Sequence, residues 1–100
     1  MLINKLIVLM IFLISLPAYA TPANILSIRS LGPETYLVLD NSALCGTNTF
    51  WIEGTYAGSK QMQATALMAF ATNKQVELEV RGDIGCTGWG SRLMGVTIFK

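Results

Sequence analysis

Residues 59–81, SKQMQATALMAFATNKQVELEVR, carry two apolar periods in succession. Ser59 to Lys74 contains neither proline nor glycine. It is dense in Ala, Met, Leu and Gln, which lose little side-chain freedom in a helix. Met62, Ala66, Ala69 and Phe70 stand at i, i+4, i+7 and i+8 and so share one face. Ser59 can accept a hydrogen bond from a free amide of the first turn. Asn73 tolerates the left-handed backbone that ends helices. From Gln75 the period becomes two: Val76, Leu78 and Val80 point one way, Gln75, Glu77, Glu79 and Arg81 the other. This spacing predicts a helix over 60–72 and then a strand over 75–81.

Upstream, Ile25–Ser30 and Thr35–Asp40 (TYLVLD) are β-prone and flank the Gly32-Pro33 turn, which reads as a hairpin. NSALCGTN, 41–48, is a loop, and TFWIE, 49–53, is a third strand. Downstream, the glycine-rich loop RGDIGCTGWG, 81–90, precedes a last strand, RLMGVTIF. Met94, Val96 and Ile98 are expected on one face of it, and Leu93, Thr97 and Phe99 on the other. The order β-β-β-α-β-β is that of a small five-stranded OB-like barrel with one helix between strands 3 and 4. The class is α+β, mainly β.

Phe50 to Val80, FWIEGTYAGSKQMQATALMAFATNKQVELEV, resembles the matching stretch of receptor-binding B subunits of bacterial toxins, the subtilase-cytotoxin type above all. In both, an aromatic strand leads into a helix, a short polar turn follows, and the next strand alternates. The resemblance implies an OB barrel, a ring of five subunits with helices toward the pore, export, and glycan binding.

The first twenty residues read as a leader. Lys5 precedes an apolar run from Leu6 to Leu16, in which Ser15 is the one polar residue, Pro17 breaks it, and Ala18 and Ala20 mark a cleavage site. That run is shorter than the ~20 residues a membrane span requires. A signal peptide over 1–20 and a single secreted domain over 21–100, periplasmic or released, are expected. Of the seven basic residues, Lys5 lies in the leader, and the remaining six balance the six acidic ones. A neutral domain without a basic tract argues against nucleic acid as a partner. The two cysteines, Cys45 and Cys86, in an exported chain are expected to form a disulfide. Closing a loop of about forty residues stabilises by roughly 4 kcal/mol on the chain-entropy estimate.

With no histidine, the commonest general base and metal ligand is absent. No enzyme activity, cofactor or metal is expected. Glu77 and Glu79 share a strand face and read as solvated carboxylates. The tripeptide Arg81-Gly82-Asp83 reads as turn chemistry rather than an adhesion motif. Trp51 lies either outside the barrel, if Phe50 and Ile52 are in the core, or beneath the helix. Trp89 either covers the disulfide, the reading a small core favours, or presents an aromatic face to a sugar. In the second case Thr47, Asn48, Thr87 and Ser91 supply polar groups around it. Without clustered cations, an uncharged glycan is the expected ligand. The helix from Lys60 to Thr72 carries Leu67 and Met68 off its main stripe, which points to a homo-oligomer. The resulting expectation is a secreted, non-catalytic binding module with a glycan or protein ligand. The alternative is a periplasmic inhibitor or envelope-stress protein acting by protein–protein binding.

Overall fold

Alternation along the strands sorts the side chains into two layers. In the computed structural model, which describes residues 21–99, the elements are β1 (Ile25–Leu31), β2 (Glu34–Leu39), β3 (Thr49–Ile52), α1 (Ser59–Ala71), β4 (Val76–Val80) and β5 (Ser91–Ile98). The expected leader lies outside the described residues. All six elements fall where the residue patterns place them, with ends shifted by one or two residues. The strands form one five-stranded mixed sheet in the order β1-β2-β3-β5-β4. β1–β2, β2–β3 and β4–β5 are antiparallel, while β3 and β5 are parallel. The parallel pair follows from the chain path: α1 and β4 intervene, and β5 returns beside β3. β1 and β4, the outer strands, have no ladder between them. Ala23, just before β1, pairs with Val76 through two backbone hydrogen bonds of 2.9 and 2.8 Å.

Leu37 and Leu39 of β2, Phe50 and Ile52 of β3, and Val76 and Leu78 of β4 face inward and are buried. Met62, Ala66 and Ala69 of α1 complete this core with Leu93. The small alanines let the helix approach β5, β1 and β3 closely. Phe70, expected on the buried stripe, is 46% exposed. The buried row is Ser59, Met62, Ala66 and Ala69, turned by about one residue from the expected one. Ser59 is not a cap. Gly58, with φ of 84°, stands at the N-cap position, and the Ser59 hydroxyl instead donates to the Gly54 carbonyl at 3.0 Å. The C-terminus ends as the sequence suggests. Asn73 has φ of 55°, and the Asn73 and Lys74 amides donate to the Phe70 and Ala69 carbonyls at 3.3 and 2.9 Å, which is the Schellman arrangement.

β5 departs from simple alternation. Val80 pairs with Leu93 and Glu79 with Gly95, so Met94 is one extra residue on β5. Such a bulge reverses the inside–outside sense of the strand beyond it. Leu93 is therefore in the core together with Val96 and Ile98, which pack against its edge, while Met94 is exposed. Glu77 and Glu79 face away from the core, opposite Thr97 and Gly95 rather than cations.

Candidate functional site

Because Phe50 and Ile52 are wholly buried, period two forces Trp51 onto the outer face of the sheet. The same alternation puts Tyr36 outside, between buried Thr35 and Leu37. Register then aligns them. Arg29 pairs with Tyr36, Tyr36 with Trp51, and Trp51 with Arg92, so one row of side chains crosses β1, β2, β3 and β5. The Tyr36 and Trp51 rings stack with centroids 6.0 Å apart and planes within 10°. The Arg92 guanidinium lies 4.8 Å over the Trp51 ring, where the ring quadrupole attracts it. Trp51 Nε1 donates to Glu34 Oε2 at 2.8 Å, and the Gly54 amide donates to the same oxygen at 2.9 Å. Trp51 is thereby held on three sides.

The loop 81–90 adds the third ring. Gly88 and Gly90 have φ of 74° and 77°, a conformation that costs other residues energy. They place Trp89 between them over the sheet. Its ring stacks on Tyr36 at 5.4 Å and is 70% exposed. The packing reading of Trp89 is thus replaced: the indole does not close the core. Arg92, Trp51, Tyr36 and Trp89 form one continuous run of planar groups. Depressions lie on both sides of Trp89. One, of about 340 Å³, is lined by Tyr36, Trp51, Thr87, Trp89, Gly90 and Arg92. The other, of about 360 Å³, is lined by Tyr36, Trp89, Arg29, Ser27 and Thr49 among others.

Three braces hold the loop. The Cys45–Cys86 disulfide joins it to the 41–48 loop. The Gly90 amide donates to the Thr49 carbonyl at 3.0 Å. Ser91 Oγ donates to the Gly88 carbonyl at 2.7 Å and accepts from the Thr87 amide at 3.0 Å. At the loop's start, Arg81 bonds Glu53 at 2.7 Å and Asp83 at 2.7 Å, and its guanidinium lies 4.5 Å over the Tyr56 ring. The Arg81 guanidinium holds the Asp83 carboxyl below the usual carboxylate range. Arg81 and Asp83 are spent on each other, as a turn reading of Arg-Gly-Asp requires. Arg92 Nε lies 3.0 Å from Glu53 Oε1 without hydrogen-bond geometry, so that attraction is coulombic.

Of the candidate residues, Trp51, Thr87 and Trp89 line the depressions, whereas Ser91, Thr47 and Asn48 do not. Ser91 is fully buried under the loop. Thr47 is buried and accepts from the Thr49 amide at 3.2 Å, and the exposed Asn48 accepts from the Thr49 hydroxyl at 3.1 Å through Oδ1. Tyr36, Arg29, Arg92 and Glu34 were not among the candidates. The alternation of TYLVLD could have exposed Tyr36, but only cross-strand register reveals the arginines. Among the described residues no group of three or more His, Cys, Asp or Glu is placed to hold a metal. No helix among them is long and apolar enough to cross a membrane. The chain matches no protein-family model, no curated protein and no solved structure.

Proposed function

We propose that this chain is an exported, non-catalytic carbohydrate-binding module of OB type. The observation that carries the reading is the exposed Trp89 ring stacked on Tyr36, beside Trp51 and between two open depressions. Aromatic faces bordered by a few polar groups suit the apolar face and hydroxyl rim of a sugar ring. In an OB barrel, the strand 2–3 face and the loops after strands 1 and 4 bind oligosaccharides, and Tyr36, Trp51 and Trp89 stand on that face and on the loop after β4. Support for the barrel comes from the strand order, the parallel β3–β5 pair, and the Ala23–Val76 link between the outer strands.

The deciding experiment is a glycan array with wild-type protein and Trp89→Ala. Because the ring is exposed, its loss should cost only about 1 kcal/mol of stability, from the missing aromatic stack. Glycan signal should disappear. A folded Trp89→Ala variant that binds as wild type does would overturn the reading. Export predicts a mature protein that begins at Thr21; N-terminal sequencing that finds Met1 on secreted material would contradict it.

Self-association rests on a different observation. Leu67 and Met68, on the outer side of α1, are 54% and 62% exposed. Apolar surface of this kind marks interaction faces, and a helix-lined ring would cover it.

A further inference from the structure

The two depressions share a floor, Tyr36, and a dividing wall, Trp89, and each contains one arginine: Arg92 on one side, Arg29 on the other. Neither is lined by a carboxylate. Glu34 lies close by, with its Oε2 accepting from the Trp51 indole and the Gly54 amide. Glu53 is occupied by Arg81 and faces only Nε of Arg92. Among the described residues, the ion pairs include no Arg29 and engage Arg92 only through Nε. Arg29 and Arg92 are the ends of the four-strand row, three strand spacings or about 14 Å apart.

We propose that the two depressions are halves of a single site for a linear acidic oligosaccharide. The chain of uronate-type sugars lies across the edge of Trp89, with one carboxylate on Arg92 and another on Arg29. The inference rests on the glycan-binding reading and adds charge and length to it. Guanidinium groups pair with carboxylates through two parallel hydrogen bonds, and a ligand that reaches both must be longer than one sugar. The sequence expectation of an uncharged ligand arose because Arg29 and Arg92 are 63 positions apart in the chain; register brings them to one site. Two arginines beside stacked rings suit a saccharide chain gripped at two of its carboxylates better than a nucleic acid, whose binding rests on neutralising many phosphates.

The test is titration of tryptophan fluorescence at 0.15 M salt with oligogalacturonates of one to six residues and with their carboxyl-reduced counterparts. The (dT)10 oligonucleotide is the polyanion control. The hexamer should bind tenfold or more tightly than the monomer and than the reduced hexamer. Arg29→Gln and Arg92→Gln should each weaken the hexamer by about tenfold, the loss expected for one charge-assisted contact, and leave the reduced hexamer unaffected. Arg29 is exposed and unpaired, so its variant tests the inference even if Arg92→Gln disturbs the Trp51 stack. Equal binding of acidic and reduced hexamers, or no change in Arg29→Gln, would overturn the inference while the glycan reading stands. No binding of any saccharide here or on the array would end both. Tighter binding of (dT)10 than of the hexamer would replace the ligand class.

Discussion

Glu34 is the residue on which the aromatic row turns. One of its two carboxylate oxygens, Oε2, takes both the Trp51 indole and the Gly54 amide, joining the outer face of β3 to the turn that follows it. Glu34→Ala leaves two partly buried donors unmatched and should cost about 2 kcal/mol, measured by denaturant unfolding. It should also shift the Trp51 emission spectrum. Gly54 beside it has no room for a side chain: a Cβ there would overlap the Pro33 carbonyl oxygen. Gly54→Ala must therefore move the β1–β2 turn, at a cost of about 2 kcal/mol. A variant as stable as wild type would show that the turn yields freely. Asp83 and Asp40 carry the acid response. The Arg81 guanidinium holds the first carboxyl low, and hydrogen bonds from Asn24 hold the second low. A carboxyl whose folded pKa lies below its unfolded value of about 3.9 contributes stability above that value. The contribution is lost as pH falls through the lower folded value. A scan of melting temperature from pH 6 to pH 2 should show a shallower acid decline for Asp40→Asn/Asp83→Asn than for wild type. Parallel curves would refute the assignment.

At the scale of the element, α1 shows how far a pattern carries. Its existence follows from sixteen residues without proline or glycine, and its end from Asn73. Its rotation does not: of the four residues on the expected face, Met62, Ala66 and Ala69 are buried and Phe70 is left largely outside. Met62→Ala should cost about 3 kcal/mol through the cavity it leaves, whereas Met68→Ala should cost less than about 0.5 kcal/mol. Both are read from chemical unfolding. Asn73→Ala forces a Cβ-bearing residue without a compensating amide into left-handed backbone. The expected loss is about 1 kcal/mol, and Asn73→Gly should equal or exceed wild type. Leu67→Glu and Met68→Glu leave the core untouched. If α1 lines a subunit interface, light scattering should report a drop to monomer with an unchanged circular-dichroism spectrum. A monomeric wild type at micromolar concentration would remove the interface altogether. On β5, one extra residue decides which face Val96 and Ile98 take. A bulge is invisible to a period count, because it is set by pairing with β4.

For the whole molecule, the disulfide and the arginine network act together to fix the 81–90 loop against β3 and the 41–48 loop. A core of a dozen buried apolar residues is small, so a crosslink spanning 41 positions weighs heavily. Cys45→Ser/Cys86→Ser should lose about 4 kcal/mol and melt well below wild type. Any binding that depends on Trp89 should weaken more than binding by an isolated Tyr36–Trp51 pair would, since Trp89 is three residues from the lost bond.

Several features of this protein are set by residue order alone. They are the element sequence, the class, the pairing of the only two cysteines, and the turn reading of Arg-Gly-Asp. Each depends on neighbours within a few positions or on a count, and local sterics and composition settle such matters. The tertiary structure decided the rest. Whether Trp51 faces out depended on which of its flanking residues the core would take. Trp89 is exposed because the loop's braces place it over the sheet instead of under it. The row Arg29-Tyr36-Trp51-Arg92 comes from four strands brought into register, one of them parallel to its neighbour through a helical crossover. Pairing of that kind joins residues dozens of positions apart through backbone hydrogen bonds every residue type can make, so the chain's one-dimensional pattern holds no record of it.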